Sequence, residues 1–323
     1  METETSLLKS LKSMSIDNPF LEKLKPSSLA VDVTNMCNLH CKHCFWVRDK
    51  HLYPTETRDV LETVRTLLKK FPTITNILWY GGEPLLNNTT RNILVEGFKL
   101  LKRNNVVITN GTIPLPNYKE NGVKYGISID GTEELHDEMR GKNVYKKIKK
   151  NVSEGLAKGI DISINYCINA KNISCIPDFL EEWNNTGINK IYFTMYVPEK
   201  NDTSGLELSA EQMEESSRLL TEMKNKYPII GNSYKMIELL HPKYSKDMAA
   251  KCFMNVNLST EKKSVTTLHL SYDGTIKVPC TYGTDETCEK CRSITHVALY
   301  ASRVLKDRAS LHMLLDGYHK PAK

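Results

Sequence analysis

The stretch that decides the fold is residues 28–44, SLAVDVTNMCNLHCKHC. Its first part is β-rich and predicts a strand over 28–35. Cys37, Cys41 and Cys44 follow directly, separated by three and then two residues. Structural zinc sites usually take four ligands in paired C-x-x-C knuckles, whereas three thiolates on one loop suit a cubane iron–sulfur cluster that keeps one iron open. The spacing favours the iron–sulfur cluster, and a structural zinc site or unrelated thiols are the alternatives.

Downstream of this loop, short β-rich runs alternate with longer stretches of helical periodicity. This alternation is typical of repeated βα units around a parallel sheet, and it predicts an α/β fold. Six strand-plus-helix units emerge, with strands at 28–35, 74–80, 105–109, 124–129, 160–168 and 189–196. After the sixth unit, Ser209 and Gln212 form a capping box that predicts a helix to about Tyr227.

A second motif, Gly81-Gly82-Glu83-Pro84, follows the second predicted strand. Glycine lets a ligand approach the backbone closely, and a carboxylate accepts hydrogen bonds from an ammonium group. Together with the cysteine loop, this motif resembles the radical S-adenosylmethionine (SAM) superfamily, in which an aromatic residue usually precedes the last cysteine, a place held here by His43. The resemblance implies that SAM chelates the open iron and is cleaved reductively to a 5′-deoxyadenosyl radical that abstracts hydrogen.

Later strand ends resemble the branch of this superfamily that carries a C-terminal SPASM or twitch domain. S-I-D-G at 128–131 ends the fourth predicted strand, and H-D-x-x-R-G follows at 136–141. The resemblance implies that Ser128 contacts the SAM ribose and Arg140 its carboxylate, while a strand-end Asp130 can also simply cap a turn. The cofactor-binding residues predicted in this way are His43, Gly81, Gly82, Glu83, Pro84, Asn110, Ser128, Asp130 and Arg140.

Four further cysteines lie towards the C-terminus at Cys252, Cys280, Cys288 and Cys291. Between the first two, β-rich runs at 264–271 and 275–278 flank an Asp-Gly turn and predict a hairpin. A hairpin brings its ends together, so the four thiolates can form one site, for which the spacing leaves zinc and iron–sulfur open. The resemblance implies a twitch-like domain in which all four ligate a second, auxiliary [4Fe–4S] cluster.

The resemblance predicts a partial (β/α)6 TIM-like barrel with a C-terminal twitch-like iron–sulfur extension. The predicted regions are a lead-in at 1–27, the barrel at 28–205, a linking helical segment at 206–245 and the auxiliary-cluster domain at 246–323. A final amphipathic helix is predicted over about 296–315, with Gly317 as its stop.

Composition excludes several classes of function. The chain has 323 residues, 40% of them hydrophobic, and no apolar run approaches the roughly 20 residues of a membrane span. The net charge of +6 is too small for a dedicated nucleic-acid binder. Nine cysteines without a secretory signal argue against disulfides and for metal ligation or reactive thiols. We therefore expect a cytoplasmic protein with no membrane partner and without nucleic acid as its expected partner, and an RNA- or lipid-modifying role stays open as a further alternative.

The predicted activity is hydrogen abstraction from a substrate C–H bond, first of all in peptide or protein modification. A small-molecule dehydrogenase or epimerase acting on a sugar or aminoglycoside-like substrate is the alternative, because the roughly 25 residues before the first strand are too few for a separate leader-peptide-binding domain. A non-catalytic iron–sulfur or zinc protein is a third alternative. The chemistry requires a low-potential electron donor of the flavodoxin or ferredoxin type.

Cys167 is a candidate hydrogen-atom donor, because it lies near the end of the fifth predicted strand, where the side chains of a barrel reach the active site. Radical epimerases use such a thiol. A free thiol that is merely a small core residue is the alternative.

Overall fold

The computed structural model describes residues 13–44, 60–101, 104–254, 266–278, 280–282 and 287–316. The chain divides into two compact units. The first comprises residues 1–38, 45–107 and 253–285, and the second 39–44, 108–252 and 286–323. These units do not follow the predicted domain boundaries, which stay predictions.

The strands of the described residues are β1 (Ser13–Met14), β2 (Ser28–Asp32), β3 (Asn76–Tyr80), β4 (Asn105–Thr109), β5 (Val123–Ser128), β6 (Asp161–Ile168), β7 (Ile191–Met195), β8 (Thr267–Leu270) and β9 (Ile276–Lys277). The α-helices are α1 (Val60–Lys70), α2 (Asn88–Leu100), α3 (Glu133–Arg140), α4 (Val144–Ala157), α5 (Ile176–Trp183), α6 (Ala210–Lys226), α7 (Tyr234–Glu238), α8 (Ser245–Ala250), α9 (Ile294–Arg303) and α10 (Arg308–Asp316). All six predicted barrel strands form, close to their predicted bounds.

In the first unit the strand order is β1-β9-β8-β2-β3-β4. β2 pairs in parallel with β3 and, on its other side, with β8. The predicted hairpin is present as β8 and β9, which are antiparallel around a turn in which Gly274 has a φ of 82°. The hairpin therefore extends the sheet that carries the first cysteine. The part of its predicted first strand over 264–265 lies outside the described residues.

In the second unit β5, β6 and β7 are parallel neighbours. β4 crosses from one unit to the other at residues 107 and 108. Parallel strands put their carboxyl ends at the same edge, so the ends of β5 and β6 bring the S-I-D-G segment beside Cys167. The core of this unit is aromatic, since Tyr166 is fully buried against Phe179 and Phe193 with ring centroids 4.9 and 5.1 Å apart.

Close packing in the first unit explains one helical glycine. Trp79 of β3 is fully buried and contacts Phe98 of α2 edge to face, with ring centroids 6.0 Å apart. A Cβ built on Gly97 would lie 2.3 Å from the Trp79 indole, so a larger residue there would displace the ring. The N-terminus of α2 is capped by Asn87 in a capping box with Thr90.

One prediction needs correction. The single helix predicted over 296–315 is two helices, α9 and α10, because Asp307 accepts a hydrogen bond from the Ser310 N–H at 3.0 Å and begins a new helix there. Its predicted stop at Gly317 lies outside the described residues. The predicted lead-in contains β1, which pairs with β9, and its Leu21 is fully buried. The capping box at Ser209 and Gln212 is confirmed.

Candidate active site and metal centres

The loop after β3 is fastened to the segment that leads to the first cysteine. The N–H of Gly82 donates to the Thr34 carbonyl at 2.7 Å, and that of Glu83 donates to the Met36 carbonyl at 2.8 Å. A Cβ on Gly82 would lie 2.0 Å from the Met36 oxygen, and one on Gly81 would lie 2.4 Å from the Thr34 oxygen. Both glycines are therefore required for contact between two backbone segments, a reason that the sequence did not reveal.

Glu83 and Pro84 complete this loop and are both buried. The Glu83 side chain is fully buried, and its Oε1 accepts a hydrogen bond from the Leu85 N–H at 2.9 Å. Burying a carboxylate is costly unless cationic groups or hydrogen bonds stabilise it. A buried carboxylate at the end of β3 fits the predicted role of Glu83 in binding the SAM ammonium group, which stays a prediction.

Gly82→Ala is expected to destabilise the protein by about 1–3 kcal/mol, because the new methyl group collides with a backbone oxygen that cannot turn away. We also expect reconstituted protein to bind SAM at least about tenfold more weakly. A loss of about 1.4 kcal/mol in binding free energy lowers the affinity tenfold, and displacing this loop should cost at least that much. Urea unfolding and equilibrium dialysis with labelled SAM measure the two effects.

Gly205→Ala is the control for this substitution. Gly205 has a φ of 70° but nothing within 4 Å of a built Cβ, so alanine there brings backbone strain without a collision. SAM binding by Gly205→Ala should equal that of the parent. Unchanged stability and SAM binding in Gly82→Ala would contradict the steric argument.

In the second unit, Asp130 is the centre of a buried charged cluster. Its Oδ2 accepts a hydrogen bond from Arg140 Nε at 2.5 Å and lies 3.2 Å from His43 Nε2, while its Oδ1 accepts the Cys167 N–H at 3.1 Å. Burial alone would raise the pKa of Asp130, but the charges of Arg140 and His43 hold it well below its usual range. Asp130 is therefore an anion that orients two predicted SAM-site residues, rather than only a turn cap.

Arg140 connects this cluster to the cysteine loop. Its Nη1 lies 3.9 Å from Cys41 Sγ, and its Nη2 lies 3.3 Å from His43 Nε2. Burial works against the charged guanidinium, but Asp130 and Cys41 raise the pKa of Arg140 further above its usual value. A permanent cation beside Cys41 stabilises a thiolate over a thiol, which is the form that ligates iron.

His43 offers a test of whether these residues suit a polar ligand. Its side chain is 10% exposed, and its Nδ1 has no hydrogen-bond partner among the described residues. A buried nitrogen without a partner is rare and points to a group that binds there. Together with Cys41 and Arg140, this nitrogen fits a site for a cluster and its SAM.

His136, from the H-D-x-x-R-G segment, is held neutral by its surroundings. Burial, followed by the Arg140 charge, lowers the pKa of His136 to about 4. Its Nδ1 accepts the Asp130 N–H at 3.2 Å, so the ring proton is on Nε2. His136 therefore supports the backbone of the S-I-D-G turn and adds no charge to the cluster.

The remaining predicted SAM-site residues lie at strand ends. Ser128 is the last residue of β5 and pairs in register with Asn165 of β6. The Asn110 Oδ1 accepts the Thr112 N–H at 2.9 Å, and Gly111 has a φ of 72°, which is the turn chemistry that the sequence left open. Their predicted contacts with SAM stay predictions.

Asn172 is a site residue that sequence reasoning missed. It is fully buried, and its amide nitrogen donates to the carbonyls of Asp130 at 3.1 Å and Cys167 at 2.9 Å. Its Oδ1 accepts the Asn169 N–H at 2.8 Å. The side chain thus joins the end of β6 to the turn after β5. The N-x-x-N spacing after a strand was the signal, since such amides often bond to nearby backbone.

The predicted auxiliary cysteines fall in both units. Cys252, Cys288 and Cys291 belong to the second unit and Cys280 to the first. Burial, together with the neighbouring Cys252 and Cys288, raises the pKa of Cys291 to about 12. Such a thiol becomes a ligand only when a metal replaces its proton.

Across the described residues, no three His, Cys, Asp or Glu side chains are arranged so that they could hold a metal ion. The predicted ligands of the first cluster, Cys37, Cys41 and Cys44, and of the second, Cys252, Cys280, Cys288 and Cys291, therefore stay predictions. No helix in the described part of the chain is both long and apolar enough to span a membrane.

The pH dependence of stability should be visible at His296 of α9. Burial lowers the pKa of His296 to about 4, and its Nε2 donates to the Met248 carbonyl at 3.2 Å. The unfolded chain binds a proton near pH 6.5, so this histidine stabilises the fold fully above that pH and loses its contribution as the pH falls towards 4. Between pH 7.5 and 5.5 we expect a loss of about 1 kcal/mol.

Urea unfolding at the two pH values measures this loss. His296→Gln should remove that part of the pH dependence, whereas His312→Gln, at an exposed position, should keep it. An equal pH dependence in the parent and in His296→Gln would contradict the assignment.

Residues 31–183 match the family model described as the radical SAM superfamily, which supports the resemblance predicted from the sequence motifs. It is 30% identical to pre-heme d1 synthase of Dinoroseobacter shibae over 177 residues, 51% of this chain and 42% of that protein. It is 26% identical to the serine-type anaerobic sulfatase-maturating enzyme of Bacteroides thetaiotaomicron, over 50% of this chain and 44% of that one. The probable GTP 3′,8-cyclase of Methanocaldococcus jannaschii is 26% identical over 78% of this chain and 84% of its own length.

Solved structures confirm the predicted fold class. Streptococcus suis SuiB, solved with its precursor peptide SuiA, matches with a TM-score of 0.60 and 15% identity over 80% of this chain and 60% of SuiB. AdoMet-bound anSMEcpe matches with a TM-score of 0.56 and 17% identity over 84% and 80%. The fold is a partial TIM-like barrel with a SPASM-type extension. The family match and the AdoMet-bound neighbour support the predicted SAM and [4Fe–4S] cofactors, and the SPASM-type relatives imply an auxiliary cluster.

The matches to the pre-heme d1 synthase and the sulfatase-maturating enzyme span less than half of those proteins. Their activities, substrates and partners therefore do not carry over as facts to this chain.

Proposed function

We propose that this chain is a radical SAM enzyme that abstracts hydrogen from a C–H bond of a peptide or protein substrate. The proposal that the chain is an enzyme of this kind is supported by the contacts of Arg140 with Cys41 and with the buried Asp130. These contacts place a fixed cation beside a predicted cluster ligand. When bound, the cluster and SAM supply the one-electron chemistry that cleaves SAM and removes a substrate hydrogen.

The chain's own residues hold and orient this chemistry. We propose that Cys37, Cys41 and Cys44 ligate the catalytic cluster and that Glu83 accepts hydrogen bonds from the SAM ammonium group. Asp130 holds Arg140 in place, and buried side chains around it exclude water, which strengthens every charge interaction in the site. A low-potential flavodoxin- or ferredoxin-type protein supplies the electron.

The peptide substrate is supported by relatives in sequence. The sulfatase-maturating enzyme acts in the maturation of another protein, as its name states. Bacillus subtilis SkfB, 28% identical over 52% of this chain and 42% of its own length, is named a sporulation killing factor maturation protein. A small-molecule substrate is the second candidate, and the match to 84% of the GTP 3′,8-cyclase favours it.

Substrate-stimulated SAM cleavage separates the two candidates. Reduced holoenzyme is supplied with SAM and either short peptides encoded beside its own gene or nucleotides and sugars, and 5′-deoxyadenosine is quantified. Faster cleavage with a peptide, together with a changed peptide mass, supports the proposal. Stimulation by GTP or a sugar alone, with no change in any peptide, would contradict the peptide substrate and support a small-molecule substrate.

Cys167 is proposed as the donor that returns a hydrogen atom to the substrate radical. Its backbone is fixed by Asp130 and Asn172, and its thiol packs against Met139, Tyr196 and Leu206. A thiol exchanges its hydrogen with solvent, so turnover in D2O should place one deuterium in the product.

Cys167→Ala should keep SAM cleavage within about twofold and lose the deuterium, with product analysed by mass spectrometry. The electron donor restores the thiol with one electron and a proton. Deuterium that persists in Cys167→Ala, or that is absent from the parent's product, would remove this role.

A further inference from the structure

Arg292 is fully buried and has only neutral hydrogen-bond acceptors. Its Nη1 donates to the carbonyls of Glu289 at 3.1 Å and Cys291 at 3.0 Å. Its Nη2 donates to Ser245 Oγ at 2.8 Å and to the His241 carbonyl at 3.4 Å. Four neutral acceptors fix the guanidinium but leave its charge unbalanced.

Within the part of the chain that the structure describes, no carboxylate forms an ion pair with Arg292, and its Nε has no hydrogen-bond partner. A buried charge without a counter-charge is costly, and natural proteins pair such charges or place them beside metals. An arginine cannot release its proton to escape this cost at neutral pH. Some anion therefore balances Arg292.

The groups next to Arg292 that become anions when a metal binds are cysteine thiols. Cys291 precedes it in the chain, and Cys252 and Cys288 are close enough to Cys291 to interact with it electrostatically. A cubane cluster held by four thiolates carries net negative charge in both of its common oxidation states. The positive charge of Arg292 is thus opposite in sign to the charge of the proposed auxiliary cluster, and it lies beside one of the predicted ligands.

The backbone of Arg292 is anchored to the barrel strand β7. Its carbonyl accepts the Met195 N–H at 3.2 Å and the Thr194 hydroxyl at 3.0 Å. The guanidinium therefore holds one position relative to the strand, and its charge acts at a fixed place.

We propose that Arg292 is the charge-compensating residue of the auxiliary site, where it stabilises the assembled thiolate cluster and makes its reduction potential less negative. This proposal rests on the proposed function and on the auxiliary ligand set predicted from the sequence. A nearby positive charge favours the reduced, more negative cluster, and an N–H without a partner can donate to a cluster sulfur, which raises the potential in the same direction. SAM and substrate binding are not part of this role.

The test uses the full chain with Cys37, Cys41 and Cys44 replaced by alanine, so that reconstituted protein holds the auxiliary cluster alone. Iron content and the midpoint of an EPR-monitored redox titration are measured for this parent, Arg292→Gln, Arg292→Lys and Ser245→Ala. We expect a more negative midpoint in Arg292→Gln and a midpoint near the parent in Arg292→Lys. Ser245→Ala removes one anchor but keeps the charge, so its midpoint should also stay near the parent.

Each other outcome has a defined meaning. A parent-like midpoint in Arg292→Gln with full iron content overturns the proposal, as does an equal shift in Ser245→Ala. If Arg292→Gln loses the cluster, retention in Arg292→Lys supports compensation by charge, whereas loss in both with altered circular dichroism assigns a structural role and overturns it. A parent that binds no iron, or binds zinc, shows instead that the proposed ligand set is wrong.

Discussion

Replacing Cys41 by alanine is expected to abolish reductive SAM cleavage and to lower the iron content of anaerobically reconstituted protein by about half, from about eight to about four per chain. Cys41 is only 9% exposed, and Arg140 Nη1 lies 3.9 Å from its sulfur. Removing the thiolate takes away one of three protein ligands on a cluster that has no fourth. The auxiliary cluster has its own cysteines and should remain.

Iron analysis and 5′-deoxyadenosine quantification check this result. Cys175→Ala is the matched control, because Cys175 is a buried thiol whose hydrogen-bond partners are Tyr166 and the Asn172 carbonyl. Its variant should keep the full iron content and the parent's rate of cleavage. A Cys41→Ala protein with full iron and active cleavage would contradict the assignment of the cluster to this loop.

Asp130→Asn should have the second largest effect. The amide still accepts the Cys167 N–H, but it leaves the Arg140 guanidinium without its anion. Breaking one side of a buried ion pair costs about 3–5 kcal/mol, so the free energy of unfolding should fall by about that amount. SAM cleavage should fall at least about 100-fold, since a loss of about 2.7 kcal/mol in the transition state already has this effect.

The pH dependence of this effect can be predicted in sign. Asp130 has a folded-state pKa below its ordinary value of 3.8. Its contribution to the free energy of unfolding is therefore complete above pH 3.8 and is lost only below that pH. The difference in the free energy of unfolding between Asp130→Asn and the parent should be equal at pH 6 and pH 8.

Asp161→Asn is the control for Asp130→Asn. Asp161 is the first residue of β6, at the opposite end of that strand from Cys167, and it accepts a hydrogen bond from Asn189. It should retain activity and lose at most about 1 kcal/mol. If Asp130→Asn keeps the parent's stability and activity, Asp130 does not hold Arg140 in the working enzyme.

Much of the fold was predictable because its signals are local. Strand and helix periodicity, the capping box at Ser209 and the Asp273-Gly274 turn all act over fewer than about 20 residues, and each appears as predicted. The break between α9 and α10 was not predicted, because Asp307 within an amphipathic pattern is indistinguishable from a residue on the polar face of one continuous helix. Only its hydrogen bond from the Ser310 N–H shows that a new helix begins there.

Contacts between distant segments were not predictable in the same way. Nothing in 267–270 shows that β8 pairs with β2, since both strands are simply buried. The reason for Gly81 and Gly82 depends on carbonyls more than 40 residues earlier in the chain. The burial of Asp130 and Arg292 could not be predicted, because charged residues lie mostly on protein surfaces and nothing in the sequence shows which partners surround these two.

Reductive cleavage of SAM is the activity proposed for this chain. It is tested most directly by incubating anaerobically reconstituted protein with SAM and dithionite or a reduced flavodoxin and quantifying 5′-deoxyadenosine by mass spectrometry. We expect 5′-deoxyadenosine in the reduced samples and none without reductant or with Cys41→Ala. Reduced protein that holds its iron and binds SAM but forms no 5′-deoxyadenosine would show that the chain lacks this activity.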